Sequence, residues 1–293
     1  MIAWLPHYRR AWLVPDALAG VSVAAVAIPT AMGYSAVALA PVQVGLYALP
    51  AALVLYAVFG SSRHVSVGPT STVALMSGAV IAGMPGVQDP VRAAALTAGV
   101  ALAAGVWLAL FGILRLGWVT DFISRPVIVG FSFGLGITVI TGELSHILGI
   151  PAAPAHFLDR MWNVLSHISQ TNPVTVAFAA VGLAILFIGG ARRPRVPWAL
   201  ILMVGAIALA QFWDARGHNV EVIGAVPSGL PTFGLPAISG PDLWSIALGG
   251  LAVAVAGVGE GLSAARIFAS RGDYRIDADS EFLGGGMANT FAA

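Results

Sequence analysis

The 293-residue chain contains no cysteine and no lysine, and charged residues make up only 9% of it. Without cysteine, disulfides, thiolate-ligated metal centres and thiol catalysis are excluded. Soluble domains carry about 25% charged residues, so the composition argues against a water-soluble fold. No nucleophile–base set or metal cluster is recognisable, which argues against an enzyme, and nothing in the composition points to a nucleic-acid partner.

Long apolar runs fill the rest of the chain, which is 58% hydrophobic with a mean hydropathy of +0.88. The 46 residues between Asp16 and Arg63 carry no formal charge, enough for two membrane crossings at about 20 residues each. We therefore predict an all-α polytopic membrane protein. From the apolar runs and the Gly/Pro breaks, helices are expected near residues 16–36, 42–60, 69–84, 91–114, 119–141, 173–190, 196–213 and 243–269, with a ninth beginning near 280.

The arginines predict the orientation. If the N-terminus is cytoplasmic and the helices alternate, most of the 14 arginines lie in cytoplasmic segments, and only Arg92, Arg160 and Arg216 lie outside. This distribution is the one that the positive-inside rule favours. We expect an integral protein of a bacterial inner membrane with a cytoplasmic N-terminus.

The first long outer loop and its borders contain His146, His156 and His167. Their spacing fits no metal site, so we interpret them as solvated loop histidines and expect no metal. Glu143, at the outer edge of the fifth predicted helix, is interpreted as structural. The second long outer segment, 214–242, is interpreted as an ordered loop that separates two halves of the chain.

The third predicted helix opens unusually, with Gly68-Pro69-Thr70-Ser71-Thr72. Proline is favoured at the first helical position, and the alternating residues before it, His64–Val67, indicate a short extended segment. Extended backbone at membrane depth is tolerated only where protein buries it or where it lines a wet cavity. The amides and hydroxyls of Thr70, Ser71 and Thr72 then form a half-helix end that attracts an anion. The alternative is an ordinary interfacial helix with Ser and Thr caps.

Two further features combine polar groups with apolar helices. Pro29 interrupts the first helix, and Thr30 and Tyr34, four residues apart, share a face; they are interpreted either as part of a binding wall or as a packing kink with an interface anchor. Glu260 lies between glycines in the last long helix. A carboxylate there marks an ion or substrate path, unless it lies near the cytoplasmic end and extends to the interface.

Together these motifs resemble the membrane domain of the SulP family of anion transporters. Several matches occur in order along nearly the whole chain. The matching stretches are Asp16–Gly20, Ile28–Tyr34, Gly45–Tyr47, Phe59–Pro69, Glu260–Arg266, Gly272–Asp277 and Gly286–Asn289.

The resemblance implies a UraA-like fold of two inverted seven-helix repeats, dimeric and working by an elevator motion. Residues 1–240 are then the first repeat, with helices 1–4 in the moving core and helices 5–7 in the gate. Residues 241–293 begin the second repeat with helix 8 and the start of helix 9. The resemblance thus predicts a truncated chain that lacks the second half-helix, the rest of the second repeat and the STAS domain.

The family pattern also assigns residue roles. It implies an anion site formed by the helix-1 wall and the first half-helix, with Glu260 and Ser263 binding the coupling ion, H⁺ or Na⁺; no other cofactor is expected. Thr30 stands where many members have glutamine, which leaves sulfate preference open. The anion-site residues carried over are Pro29, Thr30, Tyr34, Gly68, Pro69, Thr70, Ser71 and Thr72.

The predicted function is therefore secondary active transport of an inorganic oxyanion such as sulfate or bicarbonate. The expected partners are that anion, the lipid bilayer and a second copy of the full-length chain, with no nucleic acid. Two alternatives stay open: a non-transporting truncated remnant or interaction protein, and a nucleobase permease of the same fold.

Overall fold

The computed structural model describes residues 8–62, 64–122, 125–151, 157–194, 196, 198–222, 234–272 and 274–293. Within these ranges the chain forms ten α-helices joined by short 3₁₀ turns and irregular segments, and no β-strand. The helices are α1 Leu13–Val37, α2 Val42–Phe59, α3 Ser71–Ala82, α4 Pro90–Ile113, α5 Arg125–Leu148, α6 Phe157–His167, α7 Pro173–Arg192, α8 Trp198–Phe212, α9 Leu243–Gly272 and α10 Ala278–Ala292.

In the described part of the chain, five helical segments are long and apolar enough to cross a membrane. Two more apolar helices, α3 and α8, are shorter. The predicted all-α polytopic membrane fold is thus confirmed. The long segments are Arg10–Val37, Val42–Phe59, Pro90–Ile113, Pro173–Arg192 and Gly240–Ala269.

The helices group into two compact units. One contains α1 from Thr30 onward, α2–α4, the first part of α5, α9 and α10. The other contains α1 up to Pro29, α5 from Gly136 onward and α6–α8. These units follow packing contacts, whereas the predicted boundary at residue 240 concerns sequence repeats and stays a prediction.

In the first unit, α4 packs against α3, α9 and α10. Apolar side chains from α3, α4 and α9, among them Ile81, Leu96 and Val253, form its buried core. The crossing of α4 and α10 is close because both helices present glycine. A Cβ atom on Gly286 would lie 2.7 Å from the backbone nitrogen of Ala109, so this crossing depends on small residues, as is typical of membrane helix pairs.

In the second unit, α7 packs against α8. The Trp198 ring lies on Gly189, and its Nε1 donates to the Arg193 carbonyl over 3.1 Å. None of the residues of α7 or α8 is buried. This pair therefore exposes apolar side chains along its whole length, as expected of helices surrounded by lipid or by other apolar helices.

The region around α5 differs most from the sequence prediction. One helix is predicted over 119–141, whereas the structure has a 3₁₀ turn at Leu116–Phe122 followed by α5, which extends to Leu148. The prediction ended at the first polar residues, but the backbone continues helically past them. Of the three histidines, His146 lies in α5 and His167 ends α6, while His156 lies outside the described residues.

Helix α6 was not predicted at all, because charged and polar residues interrupt its apolar ones and the prediction relied on uncharged apolar runs. Its Arg160, predicted in an outer loop, is buried, and a Cβ atom on Gly142 of α5 would lie 3.1 Å from its Nη1 atom. Burial lowers the pKa of the Arg160 guanidinium, and the charge of Glu143 opposes this shift. Glu143 is half-buried rather than fully solvated, so both residues belong to the α5–α6 packing.

Candidate functional site

The segment between α2 and α3 is held at its beginning by one carboxylate of α10. The backbone amides of Ser61 and Ser62 each donate to Glu281 Oε1 over 2.8 Å. The Ser61 hydroxyl donates to the same oxygen over 2.7 Å, and the Tyr56 hydroxyl donates to Oε2 over 2.5 Å. The polar backbone that leaves α2 is therefore bound to the first turn of α10.

The following residues, 64–70, are not helical, and the exposure of residues 64–68 alternates from one residue to the next. Val65 and Val67 pack against a cluster of Ala52, Tyr56 and Ala288 from α2 and α10. The intervening Ser66 is exposed. Side chains two residues apart thus share a side: Val65 and Val67 face the cluster, and Ser66 faces away from it.

Helix α3 begins at Ser71, two residues later than predicted. Thr70 is its extended N-cap residue, with φ −119° and ψ 157°, and its carbonyl accepts the first helical hydrogen bond, from Ala74, over 2.9 Å. Pro69 is therefore outside the helix, and its predicted place at the first helical position is wrong. The amides without intrahelical partners belong to the first turn, which begins at Ser71.

The N-cap side chain does not cap α3. Thr70 Oγ1 instead donates to Glu260 Oε2 on α9 over 2.9 Å. Because α3 packs against α9, this contact joins two predicted site residues that are far apart in the sequence. Glu260 is half-buried, and it lies about 18 Å, at 1.5 Å per residue, from the end of α9 at Gly272.

A cavity of about 410 Å³ opens beside this hydrogen bond. It is lined mainly by apolar residues of α2, α3, α4, α9 and α10. Of the predicted site residues, its lining includes Tyr34, Gly68, Pro69, Thr70 and Glu260. Among the described lining residues there are two carboxylates, Glu260 and Glu281, and no arginine or histidine. The N-terminal end of α3, whose N-cap residue Thr70 lines the cavity, contributes positive potential to it.

The other predicted site residues lie elsewhere. Ser71 is buried, and Thr72 Oγ1 is buried with no hydrogen-bond partner in the described part of the chain. Ser263 Oγ donates to the Gly259 carbonyl of its own helix. None of these three lines the cavity.

Of the predicted site residues in the first helix, only some line the cavity. Thr30 is exposed and does not line the cavity, while Tyr34, one turn later, does. Pro29 is assigned to the other compact unit, so its predicted role stays a prediction.

Glu281 and Tyr56 were not predicted. An acidic residue in the first turn of a helix is ordinary, because it favours the helix dipole, and Glu281 carries no other local signal. A tyrosine at the end of an apolar helix is typical of an interface anchor. Their contact becomes visible only when α2 and α10 are packed together.

Comparison with known proteins identifies relatives over nearly the whole chain. The model of the sulfate permease family matches residues 13–293. A probable sulfate transporter of Mycobacterium tuberculosis is 35% identical over 286 residues, which cover 98% of this chain and 51% of that protein. The chain therefore spans about half the length of the curated relatives it matches.

Two solved structures are similar to the whole fold. The murine solute carrier 26 family member A9 anion transporter, in the inward-facing state, gives a TM-score of 0.83 at 21% identity, covering 99% of this chain and 52% of that one. The transmembrane domain of a cyanobacterium bicarbonate transporter, BicA, gives 0.77 at 23% identity, covering 97% and 73%. These likenesses confirm the fold class that the resemblance predicted. With its family model matched from residue 13 to residue 293, the chain belongs to the sulfate permease family.

Proposed function

We propose that this chain functions in the secondary active transport of an inorganic oxyanion such as sulfate or bicarbonate, and that it contributes residues to the anion site. The names of its relatives support this substrate class, since one is a probable sulfate transporter and another a bicarbonate transporter. In this proposal the protein is not an enzyme, and it moves the anion across the membrane by alternating access.

The hydrogen bond between Thr70 and Glu260 at the N-terminus of α3 carries the proposal. Helix α3 has 12 residues, which is about 18 Å at 1.5 Å per residue. The hydrocarbon core is about 30 Å thick, so α3 is too short to cross it. A short helix whose N-terminus opens into a cavity at membrane depth supports an anion site there.

The charge of Glu260 then determines whether an anion can bind. Two like unit charges about 4 Å apart repel by about 4 kcal/mol at an effective dielectric constant of about 20. A helix N-terminus contributes only about 0.3–2 kcal/mol of attraction. The repulsion is larger, so anion binding next to an ionised Glu260 requires that its charge be neutralised. A proton or Na⁺ bound at Glu260 would provide this, and transport of the two ions would be coupled.

An elevator motion of a dimeric protein is part of the same proposal. The grouping of α2–α4, α9 and α10 into one compact unit, with α6–α8 in another, supports a moving core and a gate. The apolar helices support a location in the membrane. The bacterial inner membrane and the cytoplasmic N-terminus stay predictions from the arginine distribution.

The experiment is tracer uptake and binding by the purified chain in proteoliposomes, with labelled sulfate or bicarbonate under an imposed pH or Na⁺ gradient. We expect the Glu260→Gln variant to lose gradient-driven accumulation, because the neutral amide cannot carry a cation. It should keep anion binding and exchange, because the repulsive charge is absent. Glu221→Gln is the matched control, since Glu221 is exposed and outside the cavity.

Accumulation by Glu260→Gln that still follows the pH or Na⁺ gradient would reject the coupling role. Uptake of labelled uracil in place of both anions would favour the nucleobase permease. If the unmodified chain neither binds nor exchanges any of these solutes, that result would count against transport by this chain on its own.

A further inference from the structure

We propose that Glu281 is a positioning residue that holds the segment between α2 and α3, described at residues 61, 62 and 64–70, and with it the N-terminus of α3, in the geometry that binds the anion. The consequence for anion affinity rests on the function proposed above. The positional claim does not, because it concerns contacts of the chain with itself.

The hydrogen bonds of Glu281 distinguish it from Glu260. Both Glu281 oxygens are used, by the Tyr56 hydroxyl, the Ser61 hydroxyl and the amides of Ser61 and Ser62. Hydrogen bonds to an ionised acceptor are about twice as strong as neutral ones. Glu260 has a single hydrogen bond of this kind among the described residues. Glu281 is therefore suited to anchoring backbone, whereas Glu260 has capacity left for a cation.

Further contacts reinforce the docking of α10 onto the end of α2. The Ser61 hydroxyl lies 3.3 Å from both the carbonyl oxygen and the amide nitrogen of Asp277, the N-cap residue of α10. A Cβ atom on Gly284 would lie 2.8 Å from the Cα atom of Gly60. The two backbones are thus in direct contact at the place where Glu281 receives its hydrogen bonds.

The segment has one carboxylate at each end. Glu281 binds its beginning at Ser61 and Ser62, and Glu260 accepts from Thr70 at its end. Between these points the structure describes packing of Val65 and Val67. Loss of the first anchor leaves this packing, the Ser61–Asp277 contacts and the Thr70 contact. The His64 side chain also stays beside Tyr274, with its Nδ1 atom 3.0 Å from the Tyr274 hydroxyl, so the approach to α3 is held less firmly rather than released. The position of the first-turn amides would then vary, which weakens a site that depends on their direction.

The absence of cysteine allows a direct test. A nitroxide label attached through Ser66→Cys, on the exposed face of the segment, reports local motion by electron paramagnetic resonance. We expect Glu281→Gln and Glu281→Ala to shift the spectrum toward the mobile component. Asp279→Asn is the matched control, because Asp279 lies in the same turn but accepts from the Gly117 amide, over 2.7 Å.

The second measurement is the Kd for labelled sulfate. Removing the anchor should raise the Kd roughly tenfold, comparable to the loss of one charged hydrogen bond, while the maximal uptake rate is kept. Asp279→Asn should leave the Kd unchanged. A purely structural role would lower the yield of folded protein without separating Kd from the maximal rate.

An unchanged label spectrum in both Glu281 variants would overturn the proposal, whether or not the chain transports sulfate. If sulfate is not bound by the unmodified chain, the function proposed above fails, and the spectrum still decides the anchoring role. If the Glu281 variants do not fold, Tyr56→Phe combined with Ser61→Ala removes two donors and leaves the carboxylate in place. That pair should also mobilise the label, and an immobile label there would contradict the proposal.

Discussion

The helices α2–α4, α9 and α10 differ from the pair α7 and α8 in how they use their residues. In the first group, side chains such as Leu96 are fully buried and polar groups are hydrogen-bonded between helices distant in the sequence. In α7 and α8 no residue is buried. The candidate site lies in the first group, where packing fixes the helices on several sides.

This difference has a physical reason. Polar backbone and carboxylates are costly at membrane depth unless protein surrounds and pairs them. Helices that carry only apolar side chains have no such requirement and can face lipid. The comparison therefore predicts that equivalent substitutions cost much more stability in the first group than in α7 and α8.

The largest expected effect comes from removing buried volume. Leu96→Ala in α4 should lower the free energy of unfolding by about 2–3 kcal/mol, the lower part of the usual range, because lipid also solvates leucine. Leu183 on α7 is 45% exposed, so Leu183→Ala should cost less than about 0.5 kcal/mol. Thermal unfolding in detergent, followed by size-exclusion chromatography, compares the two variants. Equal shifts would contradict the difference between the regions.

A glycine in each region gives a second comparison with opposite signs. A Cβ atom on Gly286 would meet the Ala109 nitrogen at 2.7 Å and the Gly105 carbonyl oxygen at 3.0 Å, both backbone atoms. Gly286→Ala should therefore force α4 and α10 apart, at a net cost of about 1–2 kcal/mol after the gain in helix propensity.

The matched glycine is Gly182 on α7, where a Cβ atom would make an ordinary contact, 3.5 Å from Leu202. Gly182→Ala should stabilise the helix by up to about 1 kcal/mol. Thermal midpoints that move in the same direction in both variants would show that the α4–α10 crossing has more freedom than its backbone contacts indicate.

Most of the helices could be predicted from the sequence, because apolar runs ended by glycine, proline or charge leave few alternatives. Thr70 and Glu260 could be named separately, since a hydroxyl-rich helix start and a carboxylate in an apolar helix are each unusual. Their hydrogen bond could not be predicted, because it depends on the packing of α3 against α9. Helix α6 was missed since the prediction relied on uncharged runs, although its buried residues Arg160 and Val164 have helical spacing.

Glu281 shows a second limit of sequence reasoning. Its type and position are those of an ordinary charged residue at a helix start, and its partners Tyr56 and Ser61 are contributed by the other end of the chain. A residue that acts through distant backbone has no local pattern. Such anchors are recognised only from contacts in the folded structure. A carboxylate that binds an ion can be recognised in the sequence, because a charged group inside a membrane is energetically costly.

The smallest expected effect comes from two polar contacts in the described part of the chain, one in each unit. Asp242 is buried and pairs with Arg92, which also donates to the Ala237 carbonyl over 3.0 Å. His146 and Glu221, in the second unit, are 3.8 Å apart, and both are largely exposed. Exposed pairs contribute about 0–1 kcal/mol, so Glu221→Gln should leave the thermal midpoint unchanged.

Asp242→Asn should lower the thermal midpoint, because the neutral amide oxygen accepts from the Arg92 guanidinium more weakly than the charged carboxylate does. The loss should be smaller than for Gly286→Ala, since Arg92 keeps its bond to the Ala237 carbonyl and another to Ser239 Oγ, 3.1 Å away.

The same unfolding measurement, repeated at high salt, separates the two pairs. Salt should reduce any contribution of the exposed pair and leave that of the buried pair largely intact. If salt abolishes the difference between Asp242→Asn and the unmodified chain, the Arg92 pair is solvent-screened, and the contrast between the two regions does not extend to their charges.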